Sequence, residues 1–153
     1  MFFARSHVDL HNIRMAVERT KKVSDNLIGI GPVGIGLDGI LAFVPGAGEL
    51  YSLAAGGLLL FEGVRARAAP TTLLTMGTIL LLDTIMSAIP GVGGVADALF
   101  TGHKWSANML LKHMDETIYY EGDRKRAQTD PDFRDTIARI RSGKETRRVV
   151  FLG

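Results

Sequence analysis

LDGILAFVPGAGEL at residues 37–50 and LDTIMSAIPGVGGV at residues 82–95 are one segment written twice. Leu37 aligns with Leu82, Asp38 with Asp83 and Ile40 with Ile85. Pro45-Gly46-x-Gly48 aligns with Pro90-Gly91-x-Gly93. Proline pushes the residue before it out of the α region and removes a backbone donor, and glycines accept a turn at little steric cost. Each copy therefore reads as helix, break, helix. An internal repeat implies units that bury their apolar faces against one another. The repeats are expected at about 37–66 and 82–111, two LD-x6-PGxG hairpins packed about a pseudo-twofold axis.

Charge placement sharpens this reading. The chain has 153 residues, no cysteine and a net charge of +2. All 18 Lys and Arg residues lie outside two apolar windows, 27–64 and 68–103. The windows hold only Asp38, Glu49 and Glu62 in the first and Asp83 and Asp97 in the second. Arg14, Arg19, Lys21 and Lys22 precede them, Arg65 and Arg67 separate them, and Lys104 and Lys112 follow. Apolar windows bounded by cations are the pattern of a membrane protein with its basic flanks on the cytoplasmic side.

Neither window makes a simple span. In 28–44, nine strongly apolar residues face one acid, five glycines and Pro32. A mid-membrane carboxylate costs about 2.5–3.5 kcal/mol on insertion scales. The segment 72–89 is stronger, with ten strongly apolar residues and one acid. With each Pro-Gly-x-Gly in mid-window, the chain is expected to turn back, giving hairpins that are re-entrant or membrane-inserted. The expected architecture is all-α: an N-terminal amphipathic helix (1–26), a duplicated hairpin domain (27–117) and a basic cytoplasmic tail (118–153).

Flanking elements follow from caps and periodicity. Ser6 caps a helix to about Ser24 with Leu10, Ile13 and Val17 on its apolar side. Residues 27–36 read as an irregular entry. Helices are expected at 37–44, from Glu49 (a candidate N-cap) to Ala66, 71–89 and 95–117. Thr129 or Asp130, with Pro131 in the first turn, starts a short helix carrying Phe133, Ile137 and Ile140 and ending near Gly143. The terminal VVFL is expected to form a strand or to dock. Met1-Phe2-Phe3, with Arg5 close behind, is too short for the apolar core of a secretory signal.

Asp38 and Asp83 are the candidate functional residues, because an ionisable group in an apolar helix is costly and marks a pathway or a partner. Two acids related by pseudosymmetry can share a proton or a cation; equally, each carboxylate can lock its own turn. Pro45, Gly46, Gly48, Pro90, Gly91 and Gly93 are assigned to the hairpin turns. His103, Lys104 and Trp105, where the second window ends, read as an anchor at headgroup level. His7 and His11 are spaced like a metal pair but lack the acid of an HExxH helix, and no metal site is assigned. Two GxGxxG strings begin at Gly29 and Gly34, but an amphipathic helix precedes them where a dinucleotide site needs a strand, and no cofactor is assigned. Arg124-Lys125-Arg126 and Arg147-Arg148 read as solvated or lipid-facing, without a nucleic-acid motif.

These residues also carry a resemblance. From about Leu27 to Glu116 the chain resembles the domain of unknown function 4112, a family of small bacterial and fungal proteins. Gly36-Leu37-Asp38, Pro45 to Glu49, Leu82-Asp83, Pro90 to Gly93 and Asp97 stand at the places of its pattern. Glu49 and Gly94 replace aspartates of its turns, and Ile79, His103 and Ser106 stand where asparagines are usual. The resemblance implies a helical membrane-associated protein and brings no activity with it. The expected function is non-enzymatic: a scaffold or accessory subunit at a bacterial inner membrane, forming a homo-oligomer or part of a larger membrane complex. The alternative is a small transporter or channel-like protein passing protons or cations through Asp38 and Asp83.

Overall fold

The computed structural model describes residues 2–28, 47–87 and 95–153. Among the described residues four long helices come first: α1 (His7–Ile28), α2 (Ala47–Arg65), α3 (Pro70–Ser87) and α4 (Val95–Asp115). Strand β1 (Thr117–Tyr120), short helices α5 (Arg124–Thr129) and α6 (Pro131–Arg141), and strand β2 (Arg148–Phe151) complete the order. The chain is thus mostly helical, and the all-α expectation is corrected by a two-stranded parallel sheet that pairs Thr117 with Arg148 and Tyr120 with Phe151. Among the described residues no helix is long and apolar enough to cross a membrane.

Ser6 starts α1 as its sequence suggested. Its hydroxyl accepts the Asp9 N–H at 3.1 Å, and the Asp9 carboxylate accepts the N–H groups of Arg5 and Ser6 at 2.9 and 3.2 Å. This reciprocal arrangement satisfies donors that a helix start otherwise leaves open. Those backbone donors, Arg5 foremost, hold the Asp9 carboxyl below its ordinary range. Leu10, Ile13 and Val17 are buried as one stripe against the core. α1 runs antiparallel to α4, tied by an ion pair between Arg14 and Asp115.

The turn between α2 and α3 is where the remote segments meet. The Arg67 N–H donates to the Val64 carbonyl at 3.0 Å and the Ala68 N–H to the Gly63 carbonyl at 3.0 Å. That is a Schellman ending, which favours glycine at the position Arg67 occupies with φ of +53°. The Arg67 guanidinium reaches across to the carbonyls of Phe151 and Leu152 at 2.8 and 3.3 Å. The open carbonyls at the end of α2 find partners from three places. Arg65 accepts the Ala4 N–H at 2.9 Å, Ala66 the Tyr119 hydroxyl at 3.0 Å, and Arg67 a guanidinium N–H of Arg148 at 2.7 Å. A helix end that would be costly to leave unpaired thereby fastens both flanks of the chain to the bundle.

Residues 118–153, expected as a basic tail, fold instead into a cap. The run TIYY is β-branched and aromatic, and it leaves the helix after Asp115 to pair with RVVF, two residues earlier than the expected helix end. Alternation along β2 sends Val150, with Leu152 beyond it, into the bundle core, while Val149 and Phe151 pack on a second core of Tyr120, Ala127 and Phe133. Asp123 caps α5 through the Arg126 N–H at 2.7 Å. Asp130 caps α6 through the Asp132 N–H at 2.9 Å and accepts the Tyr120 hydroxyl at 2.6 Å. Pro131 sits in the first turn of α6, as its sequence suggested. α1 continues through Leu27 and Ile28, where the irregular entry was expected to begin; the rest of that entry and the expected helix at 37–44 lie outside the described residues.

Candidate functional site

α3 and α4 run antiparallel, and glycines set how closely they approach. At Gly102 an added Cβ would stand 2.6 Å from Asp83 Cγ and 2.8 Å from its Oδ2. The carboxylate therefore occupies space that any other residue at 102 would fill. His103, the next residue, places Nδ1 at 3.4 Å from Asp83 Oδ2, with both side chains almost wholly covered. Gly56 of α2 closes the far side: a Cβ there would lie 3.4 Å from His103 Nε2 and 3.5 Å from Leu80. One turn further along α4, the buried Ser106 hydroxyl makes no hydrogen bond among the described residues.

Burial pushes the Asp83 carboxyl up to about 6, against the opposing pull of His103 and of the Gly102 N–H. Withdrawal from water disfavours the charged form. Asp83 and His103 thus form a buried acid–base pair at the meeting of three helices. The Asp83 carboxyl can thus take up and release a proton near pH 6. Among the described residues, no group of three or more His, Cys, Asp or Glu side chains is placed to hold a metal ion.

The other candidate residues divide. Asp38, Pro45, Gly46, Pro90, Gly91 and Gly93 lie outside the described residues, so no pairing of Asp38 with Asp83 is described. Gly48 and Glu49 fall in the first turn of α2, which begins at Ala47. An acid in a first turn suits the positive helix end, so Glu49 sits past the cap position read for it. The anchor of His103, Lys104 and Trp105 is split: His103 is buried, whereas Trp105 is 63% exposed. Consecutive helix residues point about 100° apart, so three in a row cannot all face one surface. Sequence reading missed His103 as the partner of Asp83. The available signal was its spacing with Ala107, Leu110 and Met114, all buried on the same helix face. His7 is exposed and pairs with Glu121 and the Tyr119 carbonyl rather than with His11.

The outward sides of α2 and α3 are apolar. Leu53, Leu58 and Phe61 of α2 and Leu74, Leu81, Leu82 and Ile85 of α3 are all exposed, Leu74 to 73%. The threonines of α3 fit the same pattern. Thr75 donates to the Thr71 carbonyl and Thr78 to the Leu74 carbonyl, each at 2.9 Å, so neither hydroxyl needs water. The one charged residue of α3, Asp83, is turned inward.

A family model described as a domain of unknown function, DUF4112, matches residues 13–114. Comparison with curated proteins and with solved structures gives no match.

Proposed function

The chain belongs to the DUF4112 family, and from that premise we propose that it is a non-enzymatic membrane-associated module that seats the outward sides of α2 and α3 in lipid. The cap is then held at the membrane surface as the part that a larger complex engages. The observation that carries this reading is the set of seven large apolar side chains exposed on these two helices. Burying a leucine or phenylalanine side chain is worth about 1.5–3 kcal/mol, so covering seven half-exposed ones gains roughly 5–10 kcal/mol. Soluble monomers rarely leave so much apolar surface open. The threonine hydroxyls bonded within α3 suit a neighbour that offers no hydrogen bonds.

The lipid contact is read as lateral rather than as a crossing. α1 carries Arg14, Glu18, Arg19 and Lys22, and these residues belong in water. The bundle therefore lies on one leaflet, with α2 and α3 against the acyl chains. A second reading, a small proton-handling carrier, draws support from the buried Asp83–His103 pair.

Flotation with neutral liposomes tests the leading reading. The wild-type protein is expected to float and to resist carbonate extraction. The double substitution Leu74→Glu and Leu81→Glu, at two of the most exposed positions, is expected to leave it in the soluble fraction with its helical signal intact. A soluble wild type of twice the monomer mass sinks the lipid reading and assigns the same face to a second copy.

A further inference from the structure

The cap holds a cavity of about 400 Å³ between α5, α6 and β2. Its floor is Phe133, Ile137, Ile140 and Phe151, and Arg124 and Arg141 stand on its wall. We propose that this cavity binds the headgroup end of one phosphate-bearing lipid, with the phosphate between the arginines and the first carbons of the chain on the floor. The proposal deepens the membrane reading, and rests on it only for where the ligand is found.

Charge supports this occupant. Three acids of the cap are engaged elsewhere. Asp123 and Asp130 cap the two short helices, and Glu145 is held by Arg147 at 2.8 Å and by Arg139 at 3.9 Å. Asp132 and Asp135 belong to α6 but line neither this cavity nor its neighbour. Arg124 and Arg141 make no ion pair among the described residues. Nor does Arg134, which lines the adjoining hollow that shares Gln128, Ile137 and Arg141 with the cavity. Three unneutralised guanidinium groups beside an apolar floor match an anion on an alkyl chain: the planar fork grips phosphate oxygens, and the floor gains from covering hydrocarbon. Inorganic phosphate leaves the floor uncovered, and a neutral amphiphile leaves the arginines unpaired. Ligand cavities of a few hundred cubic ångströms, mostly apolar with a few convergent polar groups, are of the size and kind that take such molecules.

The geometry holds the cavity open. Tyr120 donates to Asp130 and packs its ring 4.6 Å from that of Phe133. This fixes the elbow between α5 and α6, so the half-covered Ile137, Val149 and Phe151 do not collapse onto Arg124. The cap itself is fastened to the bundle by Arg67 and Arg148.

Calorimetric titration of the full chain in dodecyl maltoside with octyl phosphate tests the proposal, since that neutral detergent competes for any uncharged apolar site. One equivalent of octyl phosphate is expected to bind, with inorganic phosphate and octyl glucoside at least tenfold weaker. Arg124→Gln and Arg141→Gln should each lower affinity about tenfold, the size of a lost charge-assisted bond. Ile137→Trp, which fills the floor, should abolish binding, while Lys112→Gln, at an exposed position of α4, should change nothing. Equal binding of inorganic phosphate or octyl glucoside overturns the proposal. So does a loss with Lys112→Gln equal to that with Arg141→Gln. A wild type that binds octyl phosphate but fails to float with liposomes overturns the membrane reading and leaves the cavity assignment standing.

Discussion

Gly102→Ala is the substitution that most directly questions the packing of the buried pair. In the interior of a helix, glycine to alanine ordinarily stabilises by about 0.8–1 kcal/mol, because alanine loses less backbone freedom on folding. At Gly102 the added Cβ would stand 2.6 Å from Asp83 Cγ and 2.9 Å from Asp83 Cβ. Rotating the carboxylate does not clear the second contact, so α3 and α4 must move apart or Asp83 must leave its place. Overpacking of this kind costs about 1–3 kcal/mol. The clash therefore outweighs or cancels the propensity gain, with a net loss of about 0–2 kcal/mol. Gly57→Ala is the matched control, because a Cβ there meets nothing within 4 Å. It should gain nearly the full propensity term, about 0.5–1 kcal/mol. The two variants should thus differ by roughly 1–3 kcal/mol, or several degrees in Tm at about 2–4 °C per kcal/mol for a chain of this size. Removing the obstructing carboxylate with Asp83→Ala should recover much of the Gly102→Ala loss, a coupling of about 1–2 kcal/mol in a double-mutant cycle. Thermal unfolding followed by circular dichroism measures all four species. If Gly102→Ala stabilises as much as Gly57→Ala, the carboxylate does not lie over Gly102, and the geometry of the pair is wrong.

Two further outcomes rest on other parts of the structure. Arg67→Ala keeps the left-handed backbone of that position and loses the bonds to Phe151 and Leu152. Arg67→Gly loses the same bonds but relieves about 1 kcal/mol of backbone strain, so the glycine variant should be the more stable by that amount in denaturant unfolding; the reverse order would refute the strain argument. The folded pKa of Asp83 is raised to about 6 from 3.8, so the folded state binds the extra proton between those values. Its contribution is fully present below the unfolded pKa and is lost as pH rises through about 6. Wild type should gain about 2 kcal/mol relative to Asp83→Asn on going from pH 7 to 4.5, short of the full shift because pH 4.5 still lies above the unfolded pKa. Parallel pH profiles for the two proteins would mean that Asp83 is solvated.

Much of the helical frame was legible in local signals. The Ser6 cap, the stripe of Leu10, Ile13 and Val17 and the Asp130-Pro131 start of α6 depend on neighbours within a few residues. Sequence reading sees such neighbours. Glu62 shows where that stops: it stands inside an apolar window as a charge, yet it is buried against Arg65 three residues on, with both oxygens at 2.9 Å. The cap was harder to read. TIYY continues a helical stretch without a breaker, and only its pairing with RVVF, some thirty residues later, makes it a strand. Pairing at that distance leaves no local trace beyond β-branched composition.

The chain alone determined that there would be long apolar helices, because the exclusion of charge acts on each residue by itself. It also marked Asp83 as costly, since an acid in an apolar helix is anomalous wherever the helix lies. What Asp83 does with that cost was decided by the tertiary structure. The antiparallel register of α3 and α4 sets Gly102 beneath the carboxylate and His103 beside it, and that register depends on ridges, grooves and glycines from helices far apart in the chain. The same distance dependence made a cavity out of Arg124, Phe133, Arg141 and Phe151, residues that share a wall only after β2 has paired with β1.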